Sequence, residues 1–386
     1  MKCSRIRNAS PNILIASDTC PIGRNQRPFE CGEAKALLND LLPEFEQADL
    51  SIVNLECPLI NGQSPTEKCG PNLGAPVSCV NGLKAMGVDV VGLANNHIMD
   101  HGPQGLRTTI EALDEHGILH VGAGWHLDEA RKILVREICD VSIGILAVSE
   151  HEFCIASNES PGANPLDVID FVRNITAHRA EFDKLIVLVH GGNEYYKYPS
   201  PSLMDTCRFL VEQGAAAVIC QHSHCAGCME IYKGVPIIYG QGNFLFDFPS
   251  KEASWGEGAL ISLKINAVGN FGVRLIPYRQ SDGQVGARRM TADEESVFIN
   301  DFAARSEAIA DAAFVKTRWE TFCQDSKRYY LNTLHGKPGL LRRLAGKLDL
   351  LHYLDSRDVQ RGRLHLIRCE SLREALITAL QLEADK

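Results

Sequence analysis

The 386-residue sequence lacks long apolar runs, an excess of basic charge and internal repeats. No stretch approaches the ~18–20 uncharged apolar residues that a membrane-spanning helix needs, so we expect no transmembrane segment. The 48 Asp and Glu against 39 Lys and Arg give a net charge of −9, which argues against nucleic acid as a partner. With 45% hydrophobic and 23% charged residues, the composition is that of a globular protein with a sizeable core.

The 14 cysteines are scattered along the chain and do not form the dense pattern of a small disulfide scaffold. The early apolar run 13–16 is too short for a signal-peptide core, so we expect no export signal, reduced thiols and a cytoplasmic location. The Cys-x-x-Cys pair Cys225 and Cys228 is interpreted as two small residues near the core. No second such pair completes a zinc site, and a strand is expected after it instead of the helix of a redox motif.

Short β-branched runs alternate with helical patterns from about residue 11 to 280, which predicts an α/β fold. The strands are mostly apolar, as expected when helices cover the sheets. The predicted strands are Ile13–Ser17, Leu50–Asn54, Val88–Ala94, Val141–Val148, Leu185–His190, Ala217–Gln221, Pro236–Gly240 and Ala259–Asn266. The predicted helices are Glu33–Gln47, Gln104–His116, Asn164–Phe182 and Ser202–Gln213.

The sequence changes character after about residue 285. It becomes rich in helical patterns, with apolar periodicity in Leu340–Leu354 and Leu372–Leu382. We therefore expect a main domain over residues 11–285 and a helical extension over 286–386. The basic stretch Lys337–Lys347 is interpreted as a solvated helix face, with a surface for anionic partners as the less favoured alternative.

Polar residues stand at or just after the carboxyl ends of the predicted strands. Ligands bind outside these ends in open α/β sheets, so residues distant in sequence are expected to converge at one edge. The residues are Asp18, Asn54, Glu56, Asn95, Asn96, His97, His190, His222 and His224. Because alternate residues of an extended segment project to the same side, His222 and His224 should point at one place.

This set combines carboxylate and amide oxygens with imidazole nitrogens, which suits Mn, Fe, Zn or Co better than Ca or Mg. Six candidate ligands, with one carboxylate able to bridge, indicate two divalent ions. The six are Asp18, Glu56, Asn96, His190, His222 and His224. A single His at a strand end is more often a hydrogen-bonded structural residue, and Asn95-Asn96-His97 alone could simply end a strand. Their joint occurrence favours the metal site.

Five ordered segments of the chain resemble the CapA family, which is named for capsule and poly-γ-glutamate synthesis. They are Asp49–Pro58, Gly92–Gly102, His190–Tyr195, Gln221–His224 and Tyr239–Asp247. The resemblance spans roughly residues 11–280. This family is similar to a branch of the calcineurin-like metallophosphoesterases, which implies a four-layer α/β/β/α sandwich with a two-metal site at one edge.

The resemblance also implies roles for the metal ligands. Asp18 and His224 would bind the first ion, and Glu56 would take the place of a bridging aspartate. His190 and His222 would bind the second ion.

An Asn-His pair in the resemblance implies two further roles. Asn96 would offer its amide oxygen to a metal, and His97 would act as a proton donor. Asn54, Asn95 and Asn243 are assigned to substrate binding, Asn243 through the resemblance alone.

Glu194 follows His190 by four residues and is interpreted as a catalytic general base. A substrate-amine contact, a partner that orients an imidazole and a solvated loop carboxylate are the alternatives. The aromatic residues Tyr195, Tyr196 and Tyr198 are expected at the mouth of the site.

The sequence departs from the superfamily pattern at three places. Asp18-Thr-Cys20 stands where Asp-x-His is usual, so the first ion would lose an imidazole unless Cys20 binds as a thiolate. Ser17 and Gln221 stand where glycines are usual. These changes bear on the number of ions more than on the location of the site.

The resulting hypothesis is a metal-dependent hydrolase of the phosphoesterase type in capsule, exopolysaccharide or poly-γ-glutamate biosynthesis. Its substrate would be a small-molecule or polymer-linked anion, and it would contact the envelope-polymer synthesis machinery. One alternative is hydrolysis or transfer at γ-glutamyl or peptide amides. Another is a non-catalytic assembly or transport component with a structural metal site. The oligomeric state is not predicted.

Overall fold

A computed structural model describes residues 10–335 and 356–384, whose strands form two central sheets. The strands are β1 (Asn12–Cys20), β2 (Leu50–Leu55), β3 (Leu59–Ile60), β4 (Ala75–Pro76), β5 (Val90–Gly92), β6 (Leu119–Val121), β7 (Ala123–Gly124), β8 (Leu134–Ile138), β9 (Val141–Ser149), β10 (Gly162–Ala163), β11 (Lys184–His190), β12 (Ala217–Gln221), β13 (Met229–Tyr232), β14 (Val235–Tyr239), β15 (Asn243–Phe246), β16 (Glu257–Ile265), β17 (Phe271–Gln280) and β18 (Ala287–Arg289).

Helices cover the outer faces of these sheets. They are α1 (Gln26–Cys31), α2 (Ala34–Leu38), α3 (Leu42–Gln47), α4 (Val80–Ala85), α5 (Gly102–Glu115), α6 (Leu127–Ala130), α7 (Val168–His178), α8 (Pro201–Glu212), α9 (Ala292–Ala308), α10 (Ala312–His335), α11 (Arg357–Arg368) and α12 (Glu370–Ala384). The predictions for Lys337–Lys347 and Leu340–Leu354 lie outside the described residues.

The second sheet has a parallel centre and an antiparallel strand at each edge, whereas the first sheet is antiparallel only on the side of β16 to β18. The first sheet runs in the order β18-β17-β16-β1-β2-β5-β6, with β15 also pairing with β1. Strands β1, β2, β5 and β6 are parallel neighbours. The second sheet runs in the order β13-β14-β12-β11-β9-β8, and β14, β12, β11 and β9 are parallel. Parallel strands end at the same edge, so each sheet brings several strand ends together.

An aliphatic layer between the two sheets forms the centre of the core. Ile15 and Ile52 of the first sheet belong to the same buried cluster as Ile186 and Ile219 of the second. A second cluster packs α1 to α5 on the outer face of the first sheet, and a third packs α7 and α8 on the second. The predicted α/β fold with four α/β/β/α layers is thus confirmed.

Every predicted strand overlaps an observed one, but two predicted helices are wrong in extent. Glu33–Gln47 is not one helix: α2 and α3 are separated by a 3-10 turn, because Asn39 adopts a positive φ of 45° and Pro43 must stand in a first helical turn. Asn164–Phe182 is shortened to α7, since Asp167 caps the helix at its start.

The helices α9 to α12 lie in the segment predicted as a helical extension, and α12 contains the periodic stretch Leu372–Leu382. They pack on the main sheets through a cluster that joins Tyr196 to Trp319 and Leu376. The division into two domains stays a prediction. Within the described residues, no helix is long and apolar enough to span a bilayer.

The inter-sheet layer yields a stability prediction. Ile52 is fully buried between the sheets, so we expect Ile52→Ala to lower the free energy of unfolding by about 2–5 kcal/mol through lost burial and a residual cavity. Ile231→Ala, on the exposed side of β13, is the matched control and should change it by less than about 0.5 kcal/mol. Urea unfolding measures the free energy of unfolding of both variants. Equal losses in the two would contradict the placement of Ile52 in the layer between the sheets.

Candidate metal centre

The carboxyl ends of both sheets meet at one edge, where the predicted site residues converge. In the first sheet, Asp18 of β1 stands opposite Asn54 of β2. In the second, His190 at the end of β11 stands opposite Gln221, the last residue of β12. His222 follows directly, so the ends of the two sheets supply opposite sides of the site.

The site contains two groups of potential ligand atoms. Within each group, all the atoms lie within 4.8 Å of one another. The first contains Asp18, Glu56 and His190, and the second contains Glu56, His222 and His224. All five side chains are buried, and Glu56 belongs to both groups. A carboxylate shared by two ligand groups has the position of a bridge between two ions.

Glu56 provides the test of whether a cation fits. Its side chain is fully buried, and neither carboxylate oxygen accepts a hydrogen bond from the described residues. Burying an unpaired carboxylate costs several kcal/mol unless an opposite charge compensates it. The donor set of carboxylates, amide and imidazoles around it suits a divalent transition ion. The residues present therefore fit a divalent metal.

The surroundings of His190 also fit a divalent metal. Its Nε2 lies 3.0 Å from Asn96 Oδ1, 3.1 Å from His222 Nδ1 and 3.4 Å from Glu56 Oε1. A single imidazole nitrogen donates or accepts one hydrogen bond, so it cannot satisfy three polar neighbours. These four atoms converge as ligands converge on one cation. The assignment of individual ligands stays a prediction.

Two of the amides predicted to bind substrate instead contact the ligands or each other. Asn95 donates to Asn54 Oδ1 at 3.2 Å, and Asn54 donates to Asp18 Oδ1 at 2.8 Å. Both asparagines are at most 1% exposed. The geometry is that of residues that position Asp18, and their assignment as substrate contacts stays a prediction.

The third amide predicted to bind substrate, that of Asn243, lies within hydrogen-bond distance of His224. Asn243 is fully buried, and its Oδ1 lies 2.8 Å from His224 Nδ1. An amide oxygen only accepts, so Nδ1 carries the proton and Nε2 keeps its lone pair for a ligand. Nε2 faces Glu56 Oε1 at 3.9 Å.

The histidine pair after β12 reaches the site by a turn, which corrects the expected extended segment. His222 has a φ of 88° and His224 a φ of 53°, both in the left-handed region. Non-glycine residues in this region are strained by about 1–3 kcal/mol each, and such strain concentrates at functional sites. The two rings nevertheless lie 5.8 Å apart, on the same side as predicted.

The cysteines stay outside the centre. Cys20 is fully buried but is absent from both ligand groups, and burial together with a hydrogen bond to Cys57 raises its pKa well above the usual value. Because Cys20 lies outside both ligand groups, this geometry does not support the thiolate alternative. Cys225 and Cys228 are also fully buried, and the strand β13 follows them as predicted.

Without a cation, the electrostatics of the centre favour a neutral imidazole at His190 and His222 but not at His224. Burial and the Glu56 carboxylate raise the pKa of Asp18 to about 6, and burial lowers the pKa of His190 to about 4. Burial also lowers the pKa of His222 well below its usual range. For His224 burial acts in the same direction, but Glu56 and Asp18 outweigh it and raise the pKa. Neutral imidazole is the form that binds metals.

His97 lies beside this centre with two partners that the sequence did not reveal. Its Nδ1 is 2.7 Å from Asp100 Oδ2, and Lys68 forms an ion pair with Asp100. Burial lowers the pKa of His97, Lys68 lowers it further, and Asp100 raises it. The spacing of His97 and Asp100 could have indicated the pair, whereas nothing in the loop around Lys68 did.

The expected aromatic mouth is only partly observed. Tyr195 is 39% exposed and lies 6.3 Å from the His224 ring. Tyr196 is buried against Trp319 of α10, so its predicted position at the mouth is wrong. Tyr198 packs edge-on against Phe314, also in α10. The aromatic run therefore divides, because only its first member faces the site.

Two carboxylates lie on segments that border the centre. Glu194 is exposed on the loop after β11, and its role stays a prediction. Glu150, which sequence reasoning missed, is buried at the end of β9 and accepts hydrogen bonds from Ser371 Oγ at 2.5 and 2.7 Å. Glu150 thus ties the start of α12 to the site edge.

Known proteins resemble this chain most clearly over its sheets. The family model of the bacterial capsule synthesis protein PGA_cap matches residues 15–248. The chain is 28% identical over 290 residues to the PGA biosynthesis protein CapA of Bacillus subtilis (strain 168), covering 72% of this chain and 75% of that protein. It is 30% identical over 269 residues to a probable polyglutamine synthesis accessory protein of Mycobacterium tuberculosis (strain ATCC 25618 / H37Rv), covering 65% and 70%.

Among solved structures, the chain resembles a 5'-nucleotidase from Candida albicans SC5314, with a TM-score of 0.42 and 14% identity. That alignment covers 85% of this chain and 60% of the nucleotidase. The region matched by the family model contains all the candidate ligands from Asp18 to His224.

The shared position of Glu56 predicts the effect of its removal on metal binding. We expect Glu56→Gln to lower the affinity for both ions, because the near-isosteric amide removes the charge common to both groups. Glu230→Gln, which changes a carboxylate paired with Arg208, should leave metal binding unchanged. Calorimetric titration with Mn²⁺ and Zn²⁺, with elemental analysis of the loaded proteins, measures this. Unchanged binding in Glu56→Gln would place the metal elsewhere.

The buried Glu150 predicts a pH-dependent stability. Burial raises its pKa to about 7, so the folded protein retains a proton that the unfolded chain releases near pH 4.3. The stabilisation that comes from protonated Glu150 is therefore complete below about pH 4.3 and is lost as the pH rises through 7. Over this range the free energy of unfolding falls by at most about 1.4 kcal/mol per pH unit.

Urea unfolding in chelator between pH 4 and 8 tests this dependence. Glu150→Gln should lose less stability than the wild type as the pH rises, and Glu230→Gln should behave as the wild type does. Parallel pH profiles for the wild type and Glu150→Gln would refute the assignment.

Proposed function

The chain belongs to the bacterial capsule synthesis family PGA_cap, and from this premise we propose that it is a metal-dependent phosphoesterase-type hydrolase in envelope-polymer synthesis. One observation carries the proposal. Glu56 is buried without a hydrogen-bond partner among the described residues, at the point shared by two ligand groups.

We propose two divalent ions, of Mn, Fe, Zn or Co. By the family resemblance, Asp18, Glu56 and His224 would hold one of them, which exchanges His224 for the His190 of the first group of neighbouring ligand atoms. Asn96, His190 and His222, with Glu56 as the bridge, would hold the other. When bound, such ions lower the pKa of a water molecule and stabilise charge on phosphoryl oxygens. They would also supply the positive charge that this acidic protein otherwise lacks near an anionic substrate.

His97 is the proposed proton donor. Asp100 accepts a hydrogen bond from Nδ1, which fixes the tautomer and leaves Nε2 free to face a substrate. An anionic phosphoryl group beside the ring would favour the protonated form and offset the effect of burial on its pKa. The proton would pass from Nε2 to the oxygen of the leaving group as its bond to phosphorus breaks. Lys68 holds Asp100 in place through an ion pair.

Glu194 is proposed as the general base, or as an exposed carboxylate that selects the substrate by charge. The proposal also includes a cytoplasmic location and contact with the machinery that makes the polymer.

The proposal predicts a separation between metal binding and turnover. We expect His97→Asn to lower kcat for a phosphoester by about 10²–10⁴-fold, because the proton donor is lost, while the metal content stays at the wild-type level. His116→Asn, at the end of α5 and remote from the centre, is the matched control. Initial rates measure kcat and elemental analysis measures the metal content, on the same preparations of each variant.

The substrate screen covers phosphomonoesters, phosphodiesters and γ-glutamyl amides. His190→Ala and His222→Ala should lose both metal and activity. Turnover of amides alone would replace the phosphoester reaction by amide hydrolysis. Metal binding without turnover would favour a non-catalytic assembly component, and activity that survives in both variants would mean that the site is misplaced.

A further inference from the structure

A groove of about 680 Å³ opens beside the candidate metal centre. Three loops enclose it, at 23–24, 247–256 and 280–283. We call it the aromatic groove and define it by six of its lining residues, Arg24, Asp247, Phe248, Glu252, Trp255 and Asp282. Its volume lies within the ~300–1,000 Å³ typical of small-molecule sites.

Aromatic rings lead from the metal centre into this groove. The Trp255 ring lies 4.9 Å from the ring of His224, and the Phe248 ring lies 6.0 Å from that of Trp255. Phe248 is 38% exposed although phenylalanine usually packs inside. Tyr195 is equally exposed, 6.4 Å from Trp255, and its backbone is in the left-handed region with a φ of 62°. Trp255 itself is only 8% exposed, so Phe248 is the aromatic ring that the groove offers to a ligand.

The charges of the groove argue against a polyanionic occupant. Arg24 is bound through two nitrogens to Asp247, and Arg279 pairs with Glu294. Both arginines that line the groove are therefore already neutralised. At its rim, Asp282 pairs with Arg288 and Glu252 is exposed. A chain of glutamate carboxylates would meet no unpaired arginine in the groove and would face the Glu252 carboxylate. Carboxylates beside aromatic faces instead suit a ligand with hydroxyl donors and weakly polar C–H faces.

We infer that the aromatic groove binds a neutral sugar residue of the substrate, with the phosphoryl group directed towards the metal centre. This inference rests on the proposed phosphoesterase function and names the substrate class, a glycosyl phosphate or phosphate-bearing polysaccharide. The C–H face of the sugar stacks on Phe248. Its hydroxyl groups donate hydrogen bonds to Glu252. The anionic end needs no cation in the groove, because the metal ions supply it.

Binding of neutral sugars to the full chain tests this assignment without requiring turnover. The probes are maltotriose, cellotriose and chitotriose, with tri-γ-glutamate and AMP as competitors, followed by calorimetry and by the fluorescence of Trp255. We expect at least one trisaccharide to bind, and tri-γ-glutamate and AMP to bind more weakly. Phe248→Ala should weaken sugar binding by about fivefold to tenfold. Ile169→Ala, an exposed apolar residue on α7, should not weaken it.

Several outcomes would overturn the inference. These are no binding of any trisaccharide, tighter binding of tri-γ-glutamate or AMP, and wild-type affinity in Phe248→Ala. Glu252→Gln provides a second variant on the exposed rim if Phe248→Ala fails to fold, and it should also weaken sugar binding. Sugar binding in a protein without hydrolase activity would defeat the proposed function alone. Hydrolase activity without sugar binding would defeat this inference alone.

Discussion

The buried, unpaired carboxylate of Glu56 is the constraint on which the rest of the site depends. A carboxylate with no hydrogen-bond donor among the described residues is stable in a protein interior only if it is protonated or compensated by a cation. Burial raises its pKa, so without a cation the site moves towards the neutral form. The surrounding residues do not relieve this cost by hydrogen bonding. They present further ligand atoms, which is the arrangement that a multivalent ion requires.

The fold supplies these atoms by joining two parallel strand edges. Each sheet alone would offer only part of the set: Asp18 and Glu56 come from the first sheet, and His190 and His222 from the second. The aliphatic layer between the sheets fixes their separation, since close-packed interiors resist small displacements. The strained backbone of His222 is then tolerated because the layers on both sides hold its neighbours. The precision of the site is therefore a property of the core.

Apolar strands that end in polar residues leave a local pattern, which was sufficient to predict the α/β class and to expect the candidate ligands at one edge, whereas the four layers were expected from the family resemblance alone. The sequence was insufficient wherever geometry depends on contacts between distant segments. The turn at His222 and His224 could not be read from their spacing, since an extended segment has the same sequence signal. Lys68 and Glu150 carry no local pattern, and only the folded chain brings them to His97 and Ser371. Tyr196 was misplaced because α10, which covers it, has no sequence signal for its docking position.

The C-terminal helices acquire a physical role from one of these contacts. Ser371 at the start of α12 donates to Glu150 and also accepts a hydrogen bond from the backbone N–H of Gly192, at 3.2 Å. Gly192 is two residues beyond His190 and two before Glu194. The loop that carries both candidate site residues is thus held between β9 and α12. In the proposed reaction, the helical extension would thus act by positioning this loop, and its described residues contribute no atom to either ligand group.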